Sequence, residues 1–261
     1  LPKENIKLQY TPPPYTRFVG QHIVYKATCA STNSLAIECL HQAGLPEGAV
    51  VITDHQYRGR GQRSHVWHSA PNENLTFSVV LHPTFLSALE GFSLNIITTL
   101  AIHHVLAQYI PIGLSIKWPN DIYYHNQKLG GVLIENVVQK RRLKASVIGI
   151  GLNVNQVHFA FQGPTSLSMI CQCTFSLQQL LTQILVKLEH NYLQLRAQDI
   201  APLHAAYLKD MYWIHEIHTF RDATHTFQGT IRGVDTAGKL MIEQVGSTSK
   251  HYSMQEVTFM A

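Results

Sequence analysis

Little in this chain of 261 residues supports covalent cross-linking, membrane insertion or metal binding. Its four cysteines, Cys29, Cys39, Cys171 and Cys173, are too few and too irregularly spaced for a disulfide framework at this length. Cys171 and Cys173 have one residue between them and no second pair to complete a tetrahedral zinc site. Reduced thiols in a cytoplasmic protein are therefore expected. No apolar run reaches the ~18–20 residues that span a bilayer, so no membrane association is expected. The opening Leu1-Pro2-Lys3-Glu4-Asn5 lacks the charged-then-apolar pattern of a secretory signal. It also lacks an initiator Met, so a trimmed start is expected. The sixteen histidines lie singly or as the pair His103-His104, with no HExxH grouping. Excess charge is small as well, at +4. The basic cluster Lys140-Arg141-Arg142-Lys144 reads as a solvated hairpin tip that can steer an acidic partner. It does not argue for nucleic acid.

What remains is a chain with 45% apolar residues and no low-complexity tract, long enough for one large domain and a small one. The first dozen residues, with Pro12-Pro13-Pro14, read as an extended arm. A short strand at His22–Tyr25 precedes Ser31-Thr32-Asn33, an N-cap set for an apolar helical run that ends at Gly44. Ala49–Asp54 reads as a buried strand, and Ser87 to Tyr109 as a long helix. Leu114 to Pro119, with its extension to Tyr124, reads as one strand. Leu129–Val138 and Leu143–Asn153 follow through short turns that imply antiparallel pairing. Helices are expected over Ser176–Arg196 and Leu203–Met211. From Tyr212 the pattern changes to short strands, Trp213–Phe220, His225–Val234, Lys239–Gln244 and Tyr252–Phe259, with a turn at Asp235-Thr236-Ala237-Gly238. Such a stretch suits a small β-barrel. The expected division is a domain over 1–211, with 1–16 as the arm, and a second over 212–261.

Three segments carry the chemistry. Gly59-Arg60-Gly61-Gln62-Arg63 joins two glycines, which permit close backbone approach, to arginines suited to carboxylate or phosphate. It leads to Trp67, Ser69 and Asn74. A strand follows with Leu75, Phe77, Val79 and Leu81 on one face and Thr76, Ser78 and His82 on the other. Read alone, the glycines make a tight turn with a solvated charge. Lys117-Trp118-Pro119-Asn120-Asp121, Lys128 and Gly130-Gly131 through Glu135 bring two lysines, an amide and a carboxylate into twelve residues. That group suits nucleotide phosphates with Mg2+, which needs only one Asp beside the phosphates. The plainer reading is an exposed hairpin with charged ends. Gly149-Ile150-Gly151-Leu152-Asn153-Val154-Asn155 places alternating glycines in an apolar strand, normally a sign of close backbone packing.

In this order the segments resemble the biotin protein ligase family. The first matches GRGRxxxxWxSxxGxNLxxSxxL except at Gln62, where the family has arginine, and at the later glycine, where Asn72 or Glu73 stands. The second matches KWPNDxxxxxxKxxGxLxE at every defined position, and the third resembles GxGxNxN. Ser31-Thr32-Asn33 resembles the family's STN element, whose hydroxyls can both cap a helix and face a ligand. The C-terminal segment looks like the family's SH3-like domain.

This resemblance implies an α+β fold: a mixed, largely antiparallel sheet flanked by helices, of the class II aminoacyl-tRNA synthetase-like type. It implies an ATP-dependent ligase of the short kind, without a DNA-binding domain. Such an enzyme converts biotin to biotinyl-5'-AMP and transfers it to a lysine of a biotin carboxyl carrier domain of acetyl-CoA carboxylase or a related carboxylase. By resemblance Ser31, Thr32, Asn33, Gln56, Gly59 and Gly131 serve biotin, and Arg60 and Lys128 bridge its carboxylate and the α-phosphate. Lys117, Asn120 and Asp121 face the ATP phosphates and Mg2+, with Trp67 and Asn153 beside the nucleoside and Arg63 standing in for the arginine lost at Gln62. A homodimer is consistent with the resemblance. The rivals are a lipoate–protein ligase and a non-enzymatic biotin-binding or carrier-binding module.

Overall fold

The computed structural model describes residues 10–62, 65–246 and 248–260. Seven strands make the main sheet: β1 (Ile23–Cys29), β2 (Val50–Gln56), β3 (Leu75–Leu81), β4 (Leu114–Lys117), β5 (Asp121–Tyr124), β6 (Gln127–Gln139) and β7 (Arg142–Leu152). Their spatial order is β1-β2-β3-β7-β6-β5-β4. Only β1 and β2 run parallel, joined by the crossover helix α1 (Thr32–Gln42). Every other neighbour is antiparallel, which the short turns between β4, β5, β6 and β7 require for those pairs. The mixed, largely antiparallel sheet expected from the sequence is present.

Helices cover both faces, so β3 is buried along its whole length despite its alternating sequence. Leu75, Phe77, Val79 and Leu81 pack into the principal core with α2 (Phe92–Leu106) and α4 (Leu177–Arg196). On the opposite face Val80 joins Val51, Val147 and Ala36 of α1 in a smaller cluster. Thr76 and Ser78 lie on that face too and are buried. The helix expected from Ser87 begins with a 3-10 turn, Ala88–Glu90, because Ser87 and Glu90 close a reciprocal capping box before α2 starts.

Two expectations need correction. Leu114 to Tyr124 is not one strand but the hairpin β4–β5. Pro119 has no N–H for the ladder, and Asn120 N–H bonds the Lys117 carbonyl at 3.2 Å to close the reversal. Tyr252–Phe259 likewise divides into β11 (Ser249–Tyr252) and β12 (Val257–Phe259), separated by a turn in which the Ser253 N–H bonds Glu256 at 2.7 Å. The described part of the N-terminal arm lies against the body. Tyr10 is in the core, Thr11 N–H bonds Gln178 of α4, and Glu189 of α4 accepts the backbone N–H groups of Arg17, Phe18 and Val19.

Between β7 and α4 the short helix α3 (Leu167–Cys171) was not anticipated, and α5 (Ala201–Lys209) ends before the second sheet. That sheet holds β8 (Ile217–Asp222), β9 (Thr226–Val234), β10 (Leu240–Gln244), β11 and β12 in the order β11-β10-β9-β8-β12, all antiparallel. It matches the small SH3-like unit expected there. The Asp235–Gly238 turn forms, with Gly238 at φ 84°, and docks on the main body. The Trp118 indole N–H bonds the Gly238 carbonyl at 3.0 Å, and a side chain at Gly238 would collide with Phe92.

Candidate active site

A cavity of about 280 Å3 opens where the N-terminus of α1, the glycine loop, the β4–β5 turn, the start of β6 and the end of β7 converge. Its floor is flat for a local reason. A Cβ on Gly149 would overlap the Asn33 carboxamide, and one on Gly151 would fall within 2.7–2.8 Å of the Trp67 indole atoms Cζ2 and Nε1. The alternating glycines of β7 therefore make room for one side chain from α1 and one from the loop.

At the N-terminus of α1 the structure departs from the capping expectation. Ser31 occupies the N-cap position but makes no side-chain cap bond; its hydroxyl lies on the cavity wall. The Thr32 N–H bonds Gln56 Oε1 at 2.7 Å instead. The Ser78 hydroxyl sits 2.7 Å from both Thr32 Oγ1 and Asn33 Oδ1, and the Asn33 amide donates to Glu135 at 2.8 Å and to the Leu133 carbonyl at 3.1 Å. A buried polar chain thus runs from the centre of the sheet to the cavity, as buried polar groups require.

The glycine loop is a small hairpin in its described residues. Trp67 N–H bonds the Gly59 carbonyl at 3.0 Å, Gly61 N–H bonds the His65 carbonyl at 2.7 Å, and Arg60 bridges Val66. Gly59 lets the Trp67 carbonyl lie against it and lines the adjoining space of about 850 Å3 together with Arg60 and Glu135. The Arg60 guanidinium pairs with Glu135, and Lys128 pairs with Asp121 at 2.7 Å. The two cations expected to bridge the reacting anions therefore each have a carboxylate beside them, and both pairs remain partly open to solvent.

Of the anticipated residues, Ser31, Thr32, Asn33, Gln56, Arg60, Trp67, Asn120, Asp121, Lys128 and Gly131 line the cavity. Gly131 leaves space for Asp121 and Lys128 side by side. Asn120 spends its amide on the Val132 carbonyl, which holds the reversal in shape. Two residues lie elsewhere. The Asn153 amide bonds the Thr165 carbonyl at 3.0 Å behind the wall. Lys117 turns among aromatic rings: its ammonium is 4.5 Å from the Tyr123 ring centre, 5.0 Å from Phe259 and 5.5 Å from Tyr212, and 3.3 Å from the Tyr123 hydroxyl. Burial pushes its pKa down, Asp121 pulls it up, and Lys128 pushes it down further. Arg63 lies outside the described residues. Among the described residues no three His, Cys, Asp or Glu side chains converge as a metal site.

The sequence reading missed the wall supplied by the second sheet. Met254, Val257 and Phe259 line the cavity, and the Gln62 amide is 3.9 Å from the Met254 sulfur. They are some two hundred residues from the loop in sequence and carry no local signature. Ser78 was also left out of the site. Its signal was present, because the strand's alternation put it on the polar face beside Thr76.

Glycine-lined strand ends, a loop arginine and a lysine of β6 thus surround one cavity. The description Biotin/lipoate A/B protein ligase family matches residues 25–153. The chain is 30% identical over 243 residues to the bifunctional ligase/repressor BirA of Bacillus subtilis, covering 91% of this chain and 74% of that protein. It is 28% identical over 224 residues to the biotin–[acetyl-CoA-carboxylase] ligase of Paracoccus denitrificans, covering 82% and 92%. Among solved structures, the biotin protein ligase from Aquifex aeolicus in complex with biotin and ATP has the same fold, with a TM-score of 0.75 at 24% identity over 92% of this chain and 99% of that one. The chain belongs to the biotin/lipoate A/B protein ligase family.

Proposed function

We propose that this protein is a biotin–protein ligase that forms biotinyl-5'-AMP and pyrophosphate from biotin and ATP, then transfers biotin to a lysine of a biotin carboxyl carrier domain. One observation carries the reading. Arg60 and Lys128, from the loop and from β6, border a single cavity with an array of amides and hydroxyls at one end and Asp121 at the other. A biotin carboxylate is anionic at neutral pH and must attack the α-phosphorus of a polyanion, so fixed cations in a confined site lower the barrier. The carboxylate oxygen bonds to phosphorus as the bond to pyrophosphate breaks. In the second step the acceptor amine attacks the acyl carbon, AMP leaves and the amine loses a proton.

In this reading Ser31, Thr32 and Gln56 hydrogen-bond the ureido ring, and Arg60 and Lys128 neutralise the two reacting anions. Trp67 lies over the nucleoside, and the glycine loop excludes water from the mixed anhydride. Asp121 is the one carboxylate among the described residues lining the cavity, which suits an Mg2+ ion brought in by substrate phosphates. The unit over 1–211 carries these residues, and the unit over 212–261 closes the cavity with Met254, Val257 and Phe259. The substrate supplies the nucleophile, so no catalytic Ser or Cys is called for.

The test is the mass of a biotin carrier domain after incubation with the protein, MgATP and either biotin or lipoate. Addition of biotin alone is expected. Addition of lipoate alone moves the protein to the other branch of the family, and addition of neither leaves a binding module.

A further inference from the structure

Glu135 closes the second of the sequence motifs, yet the proposed reaction gives it no task. Its position supplies one. Carboxylate Oε2 pairs with Arg60 and also accepts the Asn33 amide at 2.8 Å. Asn33 is buried, seated over Gly149, and bonded to Ser78 at 2.7 Å and to the Leu133 carbonyl at 3.1 Å. The carboxylate is therefore fixed from the core, whereas the guanidinium it holds belongs to a loop and is 44% exposed. A guanidinium carries five N–H donors in a planar fork, so the contact with Glu135 uses one edge and leaves others free for a second anion.

We propose that Glu135 is a positioning residue for Arg60: in the empty site it takes the place of the ligand carboxylate, holding the loop down, and it opposes the ligand's charge when that ligand arrives. The inference rests on the reading of the site as one that binds a free carboxylate. Two consequences follow. Glu135 keeps the loop closed before any ligand binds. It also weakens binding of an anionic ligand while leaving a neutral analogue unaffected, because only the anion competes with it for Arg60.

The charge is isolated by Glu135→Gln, which keeps an acceptor for Arg60 and for Asn33, and the tether by Glu135→Ala. Calorimetric affinities for biotin and for its uncharged primary amide are compared in the wild type and E135Q. The expected result is that biotin binds E135Q about threefold to tenfold more tightly, with the amide unchanged. Equal shifts for both ligands, or weaker biotin binding, overturn the proposal. Limited trypsin digestion of the ligand-free protein, with thermal melts to confirm the fold, reads the tether without reference to any substrate. Cleavage after Arg58 or Arg60 is expected to be severalfold faster in E135A than in the wild type, and an unchanged rate overturns the proposal. If the wild type binds neither biotin nor the amide, the ligase reading fails, and the digestion still decides whether Glu135 holds the loop.

Discussion

The Trp67 indole lies directly across Gly151, occupying the space that any side chain at that position would fill. One strand and one loop are thereby keyed together at a point without a Cβ. Gly151→Ala is expected to displace the indole, and with it the face that the nucleoside would stack on. Overpacking of this kind costs about 1–3 kcal/mol. The loop can absorb much of it, so loss of ligand binding should exceed loss of stability. Tryptophan fluorescence and calorimetric titration with ATP check this; wild-type affinity in G151A would show that the indole is not part of the nucleotide site.

Lys128 differs from the other basic residues in being held against Asp121 at 2.7 Å on a strand that also borders the cavity. Lys128→Ala removes a cation from the proposed α-phosphate position. Removing one preorganised stabilising group of this sort lowers a rate by about 100-fold or more. The pair is partly solvated, so the stability change should stay within about 1 kcal/mol. Pyrophosphate release measures the first quantity and denaturant unfolding the second. Normal turnover in K128A would remove Lys128 from the reaction.

Glu189 has no counterpart in the sequence reading. Its carboxylate accepts three consecutive backbone N–H groups, from Arg17 at 2.7 Å and from Phe18 and Val19 at 2.9 Å, and so pins the chain before β1 onto α4. Glu189→Ala leaves those donors without their partner in a largely buried place. A cost of about 2–4 kcal/mol is expected, with little change in ligand affinity because α4 lies on the face of the sheet away from the cavity. Chemical unfolding and biotin titration of the same variant separate the two effects.

The contrast between Glu189 and Arg60 shows where the sequence was informative. Short-range signals located most strands of the main sheet, the N-terminus of α1 and three motifs, and ten of the anticipated site residues border one cavity. Those signals depend on spacing within a few turns or strands. Glu189 acts across 170 residues or more, and Met254 reaches Gln62 across 192. Neither contact has a periodicity to read. The Leu114–Tyr124 hairpin was missed for a different reason. Its apolar alternation continues through the reversal, and only the missing N–H of Pro119 marks the break. A motif gives a residue's neighbours in sequence and not the direction of a long side chain, which for Lys117 runs among Tyr123, Tyr212 and Phe259.

The burial of Lys117 yields a prediction with a definite sign. Its ammonium sits among Tyr123, Tyr212 and Phe259, with Asp121 raising and Lys128 lowering its proton affinity, and burial outweighs the attraction. The folded-state pKa therefore lies below that of the unfolded chain, about 10.4. Below the folded pKa both states are protonated and the folded state bears the full desolvation cost. As pH rises above it, the folded state gives up the proton first and the unfolded chain binds more protons, so stability rises with pH. The window closes near pH 10, where tyrosines in the unfolded chain begin to ionise while burial holds Tyr123 and Tyr207 protonated in the folded one, an effect of opposite sign. As pH rises from neutrality toward the unfolded-chain pKa the wild type should thus gain stability relative to Lys117→Met, whose thioether fills the same aromatic space without a charge. Urea unfolding at several pH values measures the two slopes. Identical slopes would mean that Lys117 keeps its ordinary proton affinity, and that the aromatic rings compensate fully for its removal from water.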